Sequence, residues 1–236
     1  MSITQAMILA AGKGTRMRPL TLTTPKPLVP VADKALILWH IERLRSVGVR
    51  DVVINVGYLG RQIIDTLSKM DLGVNLHISD ESVLDEPLET AGGIKYALAN
   101  GLLQDEPFIL INGDVWTEYD FSALIDHDLS NHLAHLVLVE NPEHNLAGDF
   151  VLDGSLAQPK TDGMPSHTFA GISVLSPRLV DEVAAGEIAP LAPFLKSAMT
   201  NNSVTGELMT QKWVDVGTLE RLAHVDEYAR KMKIDN

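Results

Sequence analysis

The chain has 236 residues, with 19 Lys and Arg against 31 Asp and Glu, and its formal net charge of −12 argues against nucleic-acid binding through bulk positive charge. Cysteine is absent, which excludes disulfides, thiolate metal sites and a cysteine nucleophile. Because the N-terminus has no signal-peptide pattern and no apolar run is long enough to cross a bilayer, the sequence predicts one globular, cytoplasmic domain without a membrane partner.

The first half alternates short apolar runs with segments of helical spacing. Strands are predicted at residues 5–10, 52–56, 74–79 and 108–111, and helices at residues 35–47, 59–70 and 90–102. Alternation with short loops is typical of the α/β class. Near-continuous apolar strands favour a mostly parallel, mixed sheet that is covered by helices on both faces. Ligands of such sheets bind at the C-terminal ends of the strands.

The second half is less regular. A helix is predicted at residues 121–130, and strands are predicted at residues 133–140 and 168–175. Between these two strands, residues 140–167 are rich in turn-forming residues and indicate short strands and loops. Two short helices at 177–185 and 191–199 and an amphipathic helix at 218–232 complete the predicted elements. We find no internal repeat and no linker, so we expect a single domain over residues 1–236.

Positive charge is concentrated near the N-terminus. Residues 1–41 contain five Lys and Arg residues and one Asp, a net charge of +4, whereas the remainder carries −16. This basic segment includes LAAGKGTRMRPLTLTTPKPLVP at residues 9–30, directly after the first predicted strand. It is not a Walker A loop, because Lys13 is followed by glycine, and Met17 stands where the dinucleotide fingerprint requires its third glycine.

The loop nevertheless has the composition of a phosphate-binding site. Gly12 and Gly14 let the backbone approach a phosphate chain, whose oxygens accept hydrogen bonds from N–H groups. Lys13, Arg16 and Lys26 add cations for the same oxygens. The segment therefore predicts a local anion site on an otherwise acidic protein.

LAAGKGTRMRP followed by TPKPLVPV resembles the signature of the sugar-1-phosphate nucleotidylyltransferases. The resemblance implies a Rossmann-like nucleotide-diphospho-sugar transferase fold, here without the C-terminal β-helix of larger relatives, and small-molecule substrates, a nucleoside triphosphate and a sugar 1-phosphate. Residues 1–120 would bind the nucleotide and residues 121–236 the sugar, and the oligomeric state stays open. The nucleotide-binding residues that it implies in this segment are Leu9, Ala10, Ala11, Gly12, Lys13, Gly14, Thr15, Arg16 and Lys26.

Two further blocks extend the resemblance in the first half. EPLETAGGI at residues 86–94 is similar to the block with which the family encloses the nucleobase and ribose, and it implies nucleotide contacts by Glu86, Thr90 and Gly92. ILINGDVW at residues 109–116 resembles the family's strand-ending G-D block, which implies a metal-binding carboxylate at Asp114 and a sugar contact at Asn112.

A late block supplies the second carboxylate. KWVDVGT at residues 212–218 resembles the family's W-x-D-x-G-T block, so Asp114 and Asp215 would together hold Mg²⁺, a hard cation that prefers carboxylate and phosphate oxygens. The resemblance then implies a catalytic set of Arg16, Lys26, Asp114 and Asp215. A phosphate monoester has a second pKa of about 6 and needs little deprotonation, so no general base is required. Positioning and charge neutralisation would carry the catalysis.

The sugar-binding residues are the most difficult to identify from the sequence. Gly148, Asp149 and Gly171 occupy places where the family contacts its sugar, and the sequence predicts the same role here. The family often has a phenylalanine–glutamate–lysine–proline segment, whose lysine binds the sugar phosphate. The nearest stretch is AQPK at residues 157–160, where the acid is missing, so that role is not carried over to Lys160.

Within the family, the combination of EPLETAGGI, GDF, FAGISVL and WVDVGTLERL most resembles members that transfer a uridylyl group from UTP to N-acetylmuramic acid 1-phosphate in peptidoglycan recycling. One alternative is a mannose-1-phosphate guanylyltransferase or a glucose-1-phosphate uridylyl- or thymidylyltransferase, whose N-terminal blocks are nearly the same. Another is a non-catalytic nucleotide-sugar-binding subunit. The presence of both carboxylates and Lys26 argues against the latter.

Overall fold

The computed structural model describes residues 2–84 and 86–234. The strands in this part of the chain are β1 (Gln5–Ala10), β2 (Pro30–Val31), β3 (Lys34–Ala35), β4 (Asp51–Val56), β5 (Asn75–Asp80), β6 (Phe108–Asn112), β7 (Val115–Thr117), β8 (Ala134–Val139), β9 (Phe150–Asp153), β10 (Leu156–Pro159), β11 (Ser166–Leu175), β12 (Val204–Leu208) and β13 (Trp213–Asp215). The α-helices are α1 (Leu36–Ser46), α2 (Gly60–Leu67), α3 (Glu89–Ala99), α4 (Ser122–Ile125), α5 (Leu191–Thr200) and α6 (Leu219–Ile234).

Nine of the described strands form one sheet in the order β5-β4-β1-β6-β11-β8-β12-β10-β9. β5, β4, β1 and β6 are parallel to their neighbours, and Ile8 of β1 pairs with Ile54 on one side and Ile111 on the other. β11 is antiparallel to β6 and β8, and β10 is antiparallel to β12 and β9, so seven of these nine strands point in one direction. The predicted mostly parallel, mixed sheet is confirmed.

The sheet is buried on both faces because its strands are apolar on both sides. Along β1, Ala6 and Ile8 point into one core and Met7 into the other. α1 and α2 contribute to the first core through residues such as Ile41 and Ile63. α3 and α5 contribute to the second, and the predicted helical cover on both faces is therefore confirmed.

A smaller third core joins the N-terminal and C-terminal segments. It contains Met17 and Trp116, which is fully enclosed and meets the rings of Trp39 and Tyr228 edge-on at 5.8 and 5.7 Å. Within it, β7 and β13 form an antiparallel ribbon and β2 and β3 a short hairpin. Arg230 of α6 donates two hydrogen bonds to Asp33, which anchors α6 to the hairpin. α6 begins at Leu219, four residues after β13 ends at Asp215.

Several predicted boundaries in the second half are wrong. The helix expected at 121–130 ends at Ile125. Beyond it, the Asp128 carboxylate accepts the Ser130 N–H at 2.8 Å, which stabilises a turn in place of further helix. The helix expected at 177–185 is only a 3₁₀ turn, Pro177–Val180. The strand β12 is missing from the sequence prediction. No described helix has the length and apolarity needed to cross a bilayer.

Candidate active site

The loop after β1 opens a cleft at the C-terminal ends of the parallel strands. Gly14 has a left-handed φ of 58°, and its carbonyl accepts a hydrogen bond from the Thr21 hydroxyl at 2.7 Å, which fixes the turn. The next three residues, Thr15–Met17, form a 3₁₀ turn that anchors the loop through the buried side chain of Met17. A rigid turn thus presents the basic side chains on either side of it.

The cleft has a volume of about 610 Å³. It brings together most of the residues that the sequence predicts to bind the nucleotide, and Glu86 lines a smaller adjoining pocket of about 230 Å³. The predicted site residues that line the cleft are Leu9, Ala10, Ala11, Gly12, Lys13, Gly14, Thr15, Arg16, Lys26, Thr90, Asn112 and Asp114.

The two predicted metal carboxylates are neighbours in the fold. Asp114 directly precedes β7 and Asp215 ends β13, and these strands pair with Val115 opposite Asp215. The Val216 N–H also donates to the Asp114 carbonyl at 2.8 Å. The ribbon therefore fixes the backbones of two carboxylates that are 101 positions apart in the sequence.

Each carboxylate has a basic partner. The Lys26 Nζ lies 2.7 Å from Asp114 Oδ2, and only 10% of the Lys26 side chain is exposed. Asp215 Oδ2 is approached by Arg221 Nη2 at 3.2 Å, His144 Nε2 at 3.4 Å and Arg16 Nη2 at 4.0 Å. Burial and the two guanidinium groups lower the pKa of His144. Asp215 Oδ1 is buried and has no hydrogen-bond partner among the described residues.

This arrangement is chemically suited to a divalent ion that arrives with phosphate. Two carboxylates are neighbours here, and one buried oxygen, Asp215 Oδ1, has no hydrogen-bond partner among the described residues. Within residues 2–84 and 86–234 no set of three or more His, Asp or Glu side chains is arranged to hold a metal alone. Mg²⁺ typically binds through one or two carboxylates together with substrate phosphates and water, so the donor set fits such an ion.

Arg221 and His144 were missed by the sequence reasoning. Arg221 lies in the first turn of α6, six residues after Asp215. Its closeness in sequence to this strand-ending acid was the signal that could have indicated it. His144 comes from the irregular stretch between β8 and β9, where its approach to Asp215 depends on tertiary structure alone. Nothing in the local sequence predicts that contact.

A buried polar pair at the floor of the cleft was also missed. Asn55 accepts the Ala10 N–H at 2.8 Å and donates to Glu81 Oε1 at 2.8 Å. Glu81 is only 4% exposed, and burial raises its pKa. A Cβ on Gly93 would lie 2.8 Å from Glu81 Oε1, so this glycine leaves the room that the carboxylate occupies. The pair ties β1, β4 and the segment after β5 together beneath the cleft.

Gly92 has a different environment from the one that the sequence predicts. It does not line the cleft, and a Cβ there would lie 2.2 Å from the Glu187 carbonyl oxygen. The Gly92 N–H donates to the Ala189 carbonyl at 3.1 Å, and the Ala189 N–H donates to Leu88 at 3.0 Å. The structure therefore gives Gly92 a packing role, in which the start of α3 fits against residues 187–189.

The predicted sugar-side residues lie around the β-bulge of β11. Gly171 has a φ of 71°, and a Cβ there would lie 2.7 Å from Asn112 Nδ2. Asp149 accepts the Phe169 N–H at 2.9 Å and a hydrogen bond from Asn145 at 3.1 Å, so its oxygens already have backbone and amide partners. Gly148, which directly precedes Asp149, has a left-handed φ of 59°. Their contacts with a sugar stay a prediction.

The sequence of this chain is similar to those of known nucleotidyltransferases. The profile of the nucleotidyl transferase family matches residues 5–152. The N-acetylmuramate alpha-1-phosphate uridylyltransferase of Neisseria meningitidis is 47% identical over 97% of this chain and 100% of its own length. The mannose-1-phosphate guanyltransferase of Yarrowia lipolytica is 34% identical over 90% of this chain, which spans only 60% of that protein.

Solved structures show the same fold. A candidate glucose-1-phosphate thymidylyltransferase from Bacillus anthracis superposes with a TM-score of 0.79, covering 96% of this chain and 95% of that one. The two sequences are 19% identical, so the likeness establishes the fold alone.

Proposed function

Because the chain belongs to the nucleotidyl transferase family, we propose that it transfers the uridylyl group of UTP to N-acetylmuramic acid α-1-phosphate, yielding UDP-N-acetylmuramic acid and pyrophosphate. The supporting observation is the 47% identity to the Neisseria uridylyltransferase over nearly the whole of both chains. The fungal guanyltransferase relative is less similar, and this chain covers 60% of it. The reaction would belong to peptidoglycan recycling in the cytoplasm.

The donor would lie along the loop after β1. Residues 11–15 line the cleft, and their backbone N–H groups would bind phosphate oxygens. Lys13 and the largely exposed Arg16, whose side chain is 62% exposed, would hold the triphosphate and the departing pyrophosphate. Lys26 is buried and pinned at Asp114, so it would hold the α-phosphate at one place. Asn55, Glu81 and Thr90 would contact the nucleoside end.

The reaction needs charge neutralisation more than acid–base chemistry. An acceptor phosphate oxygen forms a bond to the α-phosphorus of UTP, the bond from that phosphorus to the β-phosphate oxygen breaks, and pyrophosphate leaves with the electron pair. Asp114 and Asp215 would hold Mg²⁺, which would neutralise charge between the α-phosphate and the incoming oxygen. Lys26 and Arg16 supply fixed positive charge to the same centre. Removing one such cation is expected to raise the barrier by about 2–4 kcal/mol, by analogy with the loss of one oxyanion donor.

The test is pyrophosphate release with Mg²⁺ across a grid of nucleotides and acceptors. UTP, GTP, dTTP and ATP are each combined with the 1-phosphates of N-acetylmuramic acid, N-acetylglucosamine, mannose and glucose. We expect turnover with UTP and the muramate sugar. Turnover confined to a hexose 1-phosphate would contradict the proposed acceptor, and no turnover in any combination would favour a non-catalytic binding protein.

A pair of variants controls for the site. Asp114→Asn should abolish the metal-dependent turnover. Asp126→Asn is the matched control, since Asp126 lies in the loop after α4 and accepts a hydrogen bond from Ser2. Its activity should equal that of the unmodified enzyme. Full activity of Asp114→Asn would contradict the metal assignment.

A further inference from the structure

Two guanidinium groups converge beside Asp215. A Cβ built on Gly217 would lie 2.1 Å from Arg221 Nη2 and 2.9 Å from Arg16 Nη2. These two nitrogens are therefore at most 5.0 Å apart, the sum of the two distances. Gly217 and Arg16 line the cleft that the substrates would fill, and Arg221 lies next to both of them. Any other residue at position 217 would displace one or both arginines.

The local charge is not balanced. Asp215 supplies one negative charge against the positive charges of Arg16 and Arg221. The adjacent Lys26 and Asp114 neutralise each other at 2.7 Å. One positive charge is left over at this point of the site, and an additional anion would compensate it.

The contact between Arg221 and Asp215 is incomplete. Only 18% of the Arg221 side chain is exposed, and its Nη2 lies 3.2 Å from Asp215 Oδ2 without the alignment of a hydrogen bond. Its Nε is buried and has no hydrogen-bond partner among the described residues. A guanidinium presents five N–H donors in a planar fork that matches the oxygens of a phosphate. Buried donors of this kind are costly to leave unpaired. Arg221 therefore has unused capacity to bind an oxyanion.

Lys13, Arg16 and Lys26, which line the cleft, would hold the donor phosphates, so a cation for the acceptor phosphate would come from the second half of the chain. Arg221 meets that requirement among the basic side chains described in residues 121–232. Lys160 lies exposed in the turn after β10, Arg178 lines a separate pocket at residues 2–4 and 105–107, and Lys196 is exposed on α5. The other three basic side chains have partners elsewhere. Lys212 lies over the ring of Tyr228, Arg230 donates to Asp33, and Lys231 forms an ion pair with Glu227.

We propose that Arg221 is a catalytic residue that binds the phosphate of the acceptor sugar 1-phosphate. In the unliganded enzyme its guanidinium rests on Asp215, and it moves to the acceptor when Asp215 engages the metal–nucleotide complex. His144 contacts the same carboxylate, with its Nε2 3.4 Å from Asp215 Oδ2. The assignment rests on the proposed function, and it supplies the cation that the missing family lysine leaves open.

The test measures how Arg221→Gln changes the KM for each of the two substrates separately. We expect the KM for the sugar 1-phosphate to rise at least tenfold and kcat to fall, with the KM for UTP within twofold of the unmodified value. Calorimetric titration of the sugar 1-phosphate into enzyme loaded with Mg²⁺ and a non-hydrolysable UTP analogue should show the same loss of affinity. Titration of the Mg²⁺–analogue complex itself should be unchanged. Arg221→Lys should recover part of the acceptor affinity, because it keeps the charge without the fork.

Arg230→Gln is the matched control, since Arg230 lies on the same helix but binds Asp33 and Asp226. Its acceptor KM should not change. A raised UTP KM or a raised Mg²⁺ requirement with an unchanged acceptor KM would overturn the proposal, because Arg221 would then only position Asp215. If Arg221→Gln does not fold, an unchanged acceptor KM in Arg221→Lys overturns it equally.

The acceptor in these assays is the sugar 1-phosphate that the unmodified enzyme turns over best. The choice of sugar is thus tested by the unmodified enzyme alone, and the role of Arg221 by the variants alone. A different preferred sugar would refute the proposed substrate and leave the arginine assignment standing.

Discussion

His40 makes the stability of the protein depend on pH in a way that one substitution should remove. The residue lies on α1, is 1% exposed, and packs against the backbone of Val115 beside the Asp114 turn. Neither ring nitrogen makes a well-formed hydrogen bond within the described residues. Burial lowers the pKa of His40 to about 4, well below the ordinary value of about 6.5.

The sign follows from the two protonation states. Between pH 6.5 and pH 4 the unfolded chain binds a proton at this position and the folded protein does not, so acid favours unfolding. The stabilisation by the neutral, buried ring is fully present above the unfolded pKa and is lost as the pH falls towards the folded value. From these two pKa values, the loss of stability is about 2 kcal/mol at pH 5 and about 3 kcal/mol at its limit.

The assay is the urea unfolding of the unmodified protein and of His40→Leu at pH 7.5 and pH 5. Unfolding is monitored by tryptophan fluorescence. Leucine fits a buried helical position and has no proton to bind. The unmodified protein should lose about 2 kcal/mol more than the variant between the two pH values. Equal losses would refute the reasoning, because they would mean that His40 binds a proton equally well in the folded and unfolded chains.

Three further substitutions test the site and its supports. Gly92→Ala should destabilise the protein by about 1–3 kcal/mol in thermal or urea unfolding, because the new Cβ meets the Glu187 carbonyl at 2.2 Å, and the KM for UTP should stay the same in the folded fraction. A changed UTP KM at normal stability would instead favour a nucleotide contact. Lys26→Met should lower kcat/KM by roughly 30- to 1,000-fold, since it removes a cation and leaves Asp114 without its partner at 2.7 Å; a loss below tenfold in steady-state kinetics would argue against that role. Asn55→Ala should cost about 2–4 kcal/mol of unfolding free energy, because two buried hydrogen bonds at 2.8 Å are lost, and a melting temperature like that of the unmodified protein would contradict this.

The parallel half of the fold could be predicted because its signals are local. β1 is an apolar run that leads into a glycine turn, and its bounds, Gln5–Ala10, match the prediction. β12 was missed because Val204–Leu208 is a short run with Gly206 at its centre, and its pairing with β8 and β10 makes it a strand. A strand that depends on its neighbours leaves little trace in its own sequence.

Some residues of the site could likewise be predicted from local sequence, and others could not. Lys26 and Asp114 lie in recognisable sequence blocks, and the fold brings them to 2.7 Å. Glu81, by contrast, is buried beneath the cleft through a hydrogen bond to Asn55, 26 positions earlier, and its sequence neighbours suggest only a solvated acidic stretch. Gly92 lies in a matched block, yet its packing partner at residue 187 is remote in sequence. Contacts of this kind depend on the tertiary structure.

The pairing of each carboxylate with a basic side chain also bears on the order of binding. Lys26 on Asp114 and Arg221 on Asp215 mean that a free hydrated ion meets negative charge that is already compensated, and gains little by binding first. A triphosphate changes this, because its oxygens offer the cations new partners and give the ion further ligands. The resting charges therefore favour an ordered kinetic scheme in which nucleotide and ion enter together before the acceptor.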